Sequence, residues 1–296
     1  MRFADIGQQL RAYRLESGLR AEEIAARLGV SRAALYRYEK GEVIKLDTIR
    51  RLAELLKISP LSLLGIGVDY FARPVAFLER LRQAEEEADQ ILLVGGAVCF
   101  QTLTDAFDGA LAEAWAEAAD AMPDRALARA TADQALGLLA SRRKLYQSRK
   151  PTIIGMLSEA ALRRFLQDGV AAGLPLPERT RARCRAAAMN EAEHLAALME
   201  TVPIGIQLGL GAGPDPAAPF MVLRGRDRAH AVGSPFPPDA GPTGVVGVAT
   251  ITAADEAVAV HQRVAEAAWR DALKGADAAA RVRSLVQEVR RWGAAA

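Results

Sequence analysis

The chain has 296 residues, 51% of them apolar and 25% charged, which is enough apolar matter for two globular domains and excludes a disordered or collagen-like polymer. Its formal net charge of +2 is unevenly shared: residues 1–66 carry 12 Lys/Arg against 8 Asp/Glu, whereas residues 67–296 carry 26 against 28. Two cysteines without a Cys-x-x-Cys pair, no signal sequence and no apolar run of membrane-spanning length exclude a disulfide scaffold, a structural zinc site and a membrane span, and point to the cytoplasm.

The first helix is predicted over 3–16, with Ile6, Leu10 and Tyr13 inward and Gly18 as its break. Ile24, Ala25 and Leu28 then recur on one helical face, Gly29 interrupts, and Leu35 and Tyr38 resume the period. Between the two short helices stands Gly29-Val30-Ser31. A glycine free to take positive φ closes the first, a valine plugs the gap and a serine caps the second. This is a helix-turn-helix in chemical terms, and its second helix, 31–40, should expose Ser31, Arg32, Ala33, Tyr36 and Arg37, side chains that suit a major groove. Asp47 is expected to cap a helix over 48–56, whose Ile49, Leu52, Ala53 and Leu56 close the bundle, and 61–64 completes it.

Leu19, Ile24, Ala25, Leu28, Gly29, Val30 and Ser31, followed by Leu35, Glu39 and Gly41 and then by Ile49, Leu52, Ala53 and Leu56, resemble the Cro/cI-type (XRE) helix-turn-helix family over roughly residues 4–66. The resemblance implies a five-helix DNA-binding bundle in which Arg14 reaches Glu39 and ties the first helix to the recognition helix; the alternative is two separate surface charges. Arg32 and Arg37 are the best candidates for base-edge contacts, since a guanidinium pairs with guanine O6 and N7, with Ser31, Ala33 and Tyr36 tuning the neighbours and Lys40, Lys45 and Arg20 expected on phosphates. Many members carry Thr-Gln where this chain has Arg20-Ala21, so the charge of Arg20 is expected to replace a glutamine contact.

Gly65 and Gly67 read as a hinge, and 73–89 as a connector helix whose charged second half, 79–87, should be solvated. Beyond residue 90 the period changes. The run 91–94 followed by Gly95-Gly96 looks like a buried strand leaving a sheet, and 152–157, 204–210, 220–224 and 245–251 are further candidate strands. Helices are expected over 100–121, 123–146, 159–166, 180–200, 253–274 and 276–292. The predicted architecture is therefore an all-α N-terminal helix-turn-helix bundle of five helices (1–66), a hinge and connector helix (67–89) and a larger α/β domain (90–296) for sensing and dimerisation. Eight of the 14 prolines fall between Pro203 and Pro242, so 211–244 reads as a lid or binding loop, with disorder as the open alternative.

Glu85, Glu87 and Ala88, then Leu157, Glu159, Ala160, Ala161, Leu162, Arg163 and Arg164, then Val202, Ile204, Ile206, Pro219 and Phe220 loosely resemble the antitoxin-like C-terminal domain of actinobacterial helix-turn-helix regulators. That resemblance implies a partner protein or a sensed signal.

Nucleophile-elbow, P-loop, dinucleotide and zinc-hydrolase spacings are missing, the three histidines lie far apart, and Gly209-x-Gly211-x-Gly213 runs into prolines as a turn. No enzyme, cofactor or metal is expected. Candidate pocket residues are Cys99, placed near a helix start that would favour its thiolate, the basic run led by Arg142 and Arg143, and the Glu159/Arg163 pair beyond a strand end. Each has a bland alternative: a buried space-filling thiol, a solvated basic face, and an i,i+4 helix pair. The apolar stripe Val282, Leu285, Val286, Val289 and Trp292 is either a dimer element or packing onto its own domain. Together these readings describe a sequence-specific DNA-binding regulator, acting as a homodimer on double-stranded DNA under a small-molecule effector; the alternative is an antitoxin-like regulator that grips a partner protein.

Overall fold

The computed structural model describes residues 3–65, 67–211, 218–242 and 245–295, with side chains from 6 to 291. Five helices form the N-terminal bundle: α1 (Phe3–Ser17), α2 (Ala21–Leu28), α3 (Arg32–Glu39), α4 (Leu46–Leu56) and the single turn α5 (Pro60–Leu63). Leu10, Ile24, Leu35, Leu52 and Leu63 are its fully buried centre. Helix α4 starts two residues earlier than the sequence suggests: Lys45 is its cap residue and Asp47 lies inside the first turn, where its charge favours the helix dipole without capping it.

The larger part is an eight-stranded mixed sheet in the order β1-β7-β6-β5-β2-β3-β4-β8. Its strands are β1 (Val68–Phe71), β2 (Ala88–Val94), β3 (Thr152–Ser158), β4 (Ile206–Gly211), β5 (Phe220–Gly225), β6 (Ala229–Gly233), β7 (Ala249–Thr252) and β8 (Leu273–Lys274). Only β2, β3 and β4 run parallel, in the register Ile91↔Ile153 and Ile153↔Ile206; the remaining pairs are antiparallel. Gly155 sits at the β3–β4 contact, where a Cβ would come within 2.9 Å of the Leu208 side chain.

Helices α9 (Glu159–Asp168), α10 (Glu178–Thr201) and α12 (Gly275–Ala295) pack on β3, β4 and β8, α6 (Pro74–Glu86) packs on β1, and α7 (Asp105–Asp120) and α8 (Arg125–Arg149) stack on α10 and α6. These helices share one core with Ile91, Ile153, Leu157 and Val232, and that core continues into the N-terminal bundle. Helix α11 (Asp255–Asp271) crosses the other face, where Ala265 packs with Val94 and Met156.

Two expectations for 67–89 are corrected. Residues 68–71, in the segment read as a hinge, are an edge strand paired with β7, Asp69 opposite Ile251. The charged part of α6 is not solvated: Glu79, Gln83 and Glu85 are buried because each has polar partners on α1, α6 or α8. The apolar stripe of α12 is resolved as well. Val282, Leu285, Val286 and Val289 are buried in the chain's own core against α10 and α9, which removes them as a dimer surface; the side chain of Trp292 falls outside the described residues, as do Gly213, Pro214 and Pro216.

Candidate nucleic-acid interface

The turn between α2 and α3 is built as its residues dictate. Gly29 takes φ 71°, and its N–H and that of Val30 close back onto α2 carbonyls. Ser31 Oγ accepts the Ala34 N–H at 3.1 Å, a cap worth about 1 kcal/mol. The C-terminal end of α3 is pressed on α1 so closely that a Cβ at Gly7 would lie 2.5 Å from Tyr38 O and 2.7 Å from Glu39 O. Across the same contact Arg14 donates Nε to Glu39 Oε1 at 2.5 Å and Nη2 to Oε2 at 3.1 Å. Helix α3 is thus fixed to α1 at its far end and presents its near end to solvent.

On that outer surface Ser31, Arg32, Ala33, Arg37 and Lys40 are exposed and Tyr36 is half-buried. Arg32 reaches Glu22 at 2.8 Å and the Tyr36 hydroxyl at 3.2 Å, its guanidinium 5.3 Å from the Tyr36 ring centre. Arg37 pairs with Glu42 at 3.2 Å. These two acids, which sequence reasoning missed, hold the two arginines expected from the sequence to contact bases. Lys40 and Lys45 are exposed and make no ion pair among the described residues. Arg20 precedes α2 and is engaged by Glu23, whose carboxylate accepts both its backbone N–H at 2.9 Å and its guanidinium. Beside this surface Val43 and Leu46 are exposed between α3 and α4.

The candidate pocket residues are scattered. Cys99 is fully buried ahead of the 3-10 turn Phe100–Thr102; burial pushes its thiol up to about 11, and the helix-start argument for a thiolate fails because the turn is three residues long. Arg142 is buried and bidentate to Glu85, at 2.7 and 2.8 Å, with its guanidinium 4.1 Å from the Phe100 ring centre. Arg143 donates to Leu103 O and pairs with Asp108 at 2.8 Å, and Arg149 pairs with Asp89 at 3.1 Å. The basic run is therefore largely neutralised in place. Glu159 and Arg163 face α12, pairing with Arg281 and Glu288 respectively, the latter at 2.7 Å; their mutual approach is 3.6 Å.

The residues on the adjoining face of α9 do line a cavity, of about 480 Å³, at the carboxyl ends of β2 and β3. Its walls come from α6 (Phe77, Leu81), the Gly95-Gly96 turn, α9 (Ala161, Phe165) and the loop 234–240, whose Phe236 ring stands 5.9 Å from that of Phe77. The loop is held down where Asp239 Oδ2 accepts the Ala171 N–H at 3.0 Å. Of the five candidate pocket residues only Arg142 borders this space. Among the described residues no group of three or more His, Cys, Asp or Glu is placed to hold a metal, and no helix is long and apolar enough to cross a membrane. His194 binds Thr102 O at 3.0 Å, His230 is buried in β6 and His261 meets Phe220 edge-on.

Residues 5–63 match the family model described as a helix-turn-helix domain. No curated protein and no solved structure matches the chain.

Proposed function

We propose that the chain is a sequence-specific DNA-binding transcriptional regulator of the Cro/cI type, acting in the cytoplasm, whose sheet domain senses a small molecule. The observation that carries this reading is the outer surface of α3. Ser31, Arg32, Ala33 and Arg37 project from a helix whose inner side is locked by Leu35 and by the Arg14–Glu39 pair, and such a helix is the right width to enter a major groove of about 12 Å. Arg32 and Arg37 would read guanine edges, with Lys40, Lys45 and Arg20 on phosphates. To do so, each arginine exchanges a carboxylate partner for the base.

One bundle with an excess of 12 over 8 charged groups in residues 1–66 neutralises few phosphates. A homodimer reading two half-sites about 34 Å apart supplies the rest. Because the α12 stripe is occupied internally, the dimer contact lies elsewhere. We assign no catalytic reaction to the sheet domain. Its cavity, walled by residues from seven separate segments, supports effector sensing over capture of a partner protein, which would need an open apolar surface.

The test is a selection from randomised duplexes with the full chain, followed by anisotropy titration of the enriched site and a scrambled control at moderate salt. An enriched site with clear preference supports the reading. Equal affinity for both duplexes, or none for either, removes it.

A further inference from the structure

The cavity beside α9 carries information about what fills it. Its lining is dominated by aromatic and aliphatic side chains, among them Phe77, Phe100, Trp115, Phe165 and Phe236. Three ionic side chains of the covering helices border it: Arg142, Arg164 and Asp168. Arg142 is committed to Glu85. Arg164 is exposed at the rim and has no hydrogen-bond or ion-pair partner among the described residues, and Asp168 stands one turn further along α9. The first turn of α9, the positive end of its dipole, borders the cavity through Ser158 and Ala161, whereas Asp168 closes the helix at the negative end. Asp239, the remaining acid on the wall, is tied to the Ala171 amide, and burial holds its carboxyl above the usual carboxylate range. Arg164 is therefore the one cation at the mouth with no carboxylate partner among the described residues, and it is open to an anion.

We propose that this cavity binds an apolar organic acid, an aromatic or medium-chain carboxylate, with its body between α6, α9 and the loop 234–240 and its carboxylate on Arg164. Binding stands on the cavity alone; its consequence for DNA rests on the regulator reading above. That consequence runs through α6. The side of α6 carrying Phe77 and Leu81 walls the cavity, while Glu79 pairs with Arg11 at 3.1 Å and Gln83 donates to Gln8 O at 3.3 Å, both on α1. At this interface Gln9 Oε1, Glu79 Oε2 and Gln83 Oε1 are buried without a hydrogen-bond partner among the described residues. An acid that displaces Phe77 and Leu81 moves α6 against α1, and Arg14 carries the shift to Glu39 on α3.

The experiment is calorimetric titration of the full chain with decanoate, 4-butylbenzoate, decan-1-ol and decylamine, alongside the variants Arg164→Ala and Ala161→Trp. We expect at least one of the two acids to bind, with affinity about tenfold above the alcohol and above the amine. Arg164→Ala should bring acid and alcohol level, and Ala161→Trp, which fills the cavity, should abolish binding. If Ala161→Trp fails to show a wild-type thermal transition, Leu78→Phe replaces it. No heat from either acid at millimolar concentration, equal affinity of acid and alcohol, preference for the amine, or undiminished binding to the filled cavity overturns the assignment. Anisotropy with the selected duplex then separates the two readings. Bound acid that leaves DNA affinity unchanged overturns the α6 route, whereas failure to bind any duplex overturns the regulator reading and leaves the calorimetric result intact.

Discussion

Arg142 and Glu85 meet in the interior between α8 and α6, two parallel hydrogen bonds joining side chains that are 4% and 6% exposed. Glu85 takes a third bond from Gln101 Nε2 at 2.9 Å, so a single carboxylate holds α6, α8 and the turn after β2. Removing the guanidinium strands that charge. Arg142→Ala should cost about 3 kcal/mol by urea unfolding, and the double variant Arg142→Met with Glu85→Leu should recover most of the loss. A cost below about 1 kcal/mol would show that the pair is hydrated and stabilises little.

Arg32 and Lys40 should fail differently on DNA. Arg32→Ala is expected to lower affinity for the selected site about tenfold and to relax sequence choice at one base pair. Lys40→Ala should weaken specific and random duplexes alike and reduce the slope of log affinity against log salt by about 1. Identical losses from both variants on both duplexes would reject this division of roles.

His230 makes the fold sensitive to acid. Buried in β6 opposite Leu223, with Arg80 and Arg228 adding repulsion, its imidazole is pushed down to about 4 from the ordinary 6.5. The unfolded chain takes up this proton first, so the associated stability is complete above 6.5 and is lost as pH falls toward 4. The loss amounts to about 3 kcal/mol at most. His230→Leu should flatten that limb of the urea-midpoint profile; a profile superimposable on the parent's would place the imidazole in water.

Cys99 and Cys184 are both buried and both have thiols raised mainly by burial. A maleimide at neutral pH should label neither in the native chain and both in urea. Labelling of Cys99 without denaturant would restore the idea of a thiol sensor.

The bundle was legible from residue types because its devices are local: Gly29, Ser31 and the apolar period lie within two turns of one another, and the Arg14–Glu39 pair follows from family resemblance. Strand β1 was not, since Val68 to Phe71 is four residues long and its partner β7 lies some 180 positions away. Strand β6, Ala229 to Gly233, has only Val232 as a strong strand former and is recognisable by its pairing with β5 on one side and β7 on the other. Glu79 and Glu85 looked solvent-facing because their cations, Arg11 and Arg142, sit on other helices. On α9 the error was one residue: Arg163 points to α12 while its neighbour Arg164 lines the cavity, a turn of about 100° that periodicity alone cannot orient.

Glu22 and Glu42 give α3 an occupied resting state. With their carboxylates already on Arg32 and Arg37, the two guanidinium forks are held as near-neutral couples. Under the proposed reading, any acceptor on a duplex, phosphate or guanine, has to displace a resident acid before it takes the fork. Part of the cost of binding would then be set by competition inside the protein rather than by fit to the groove.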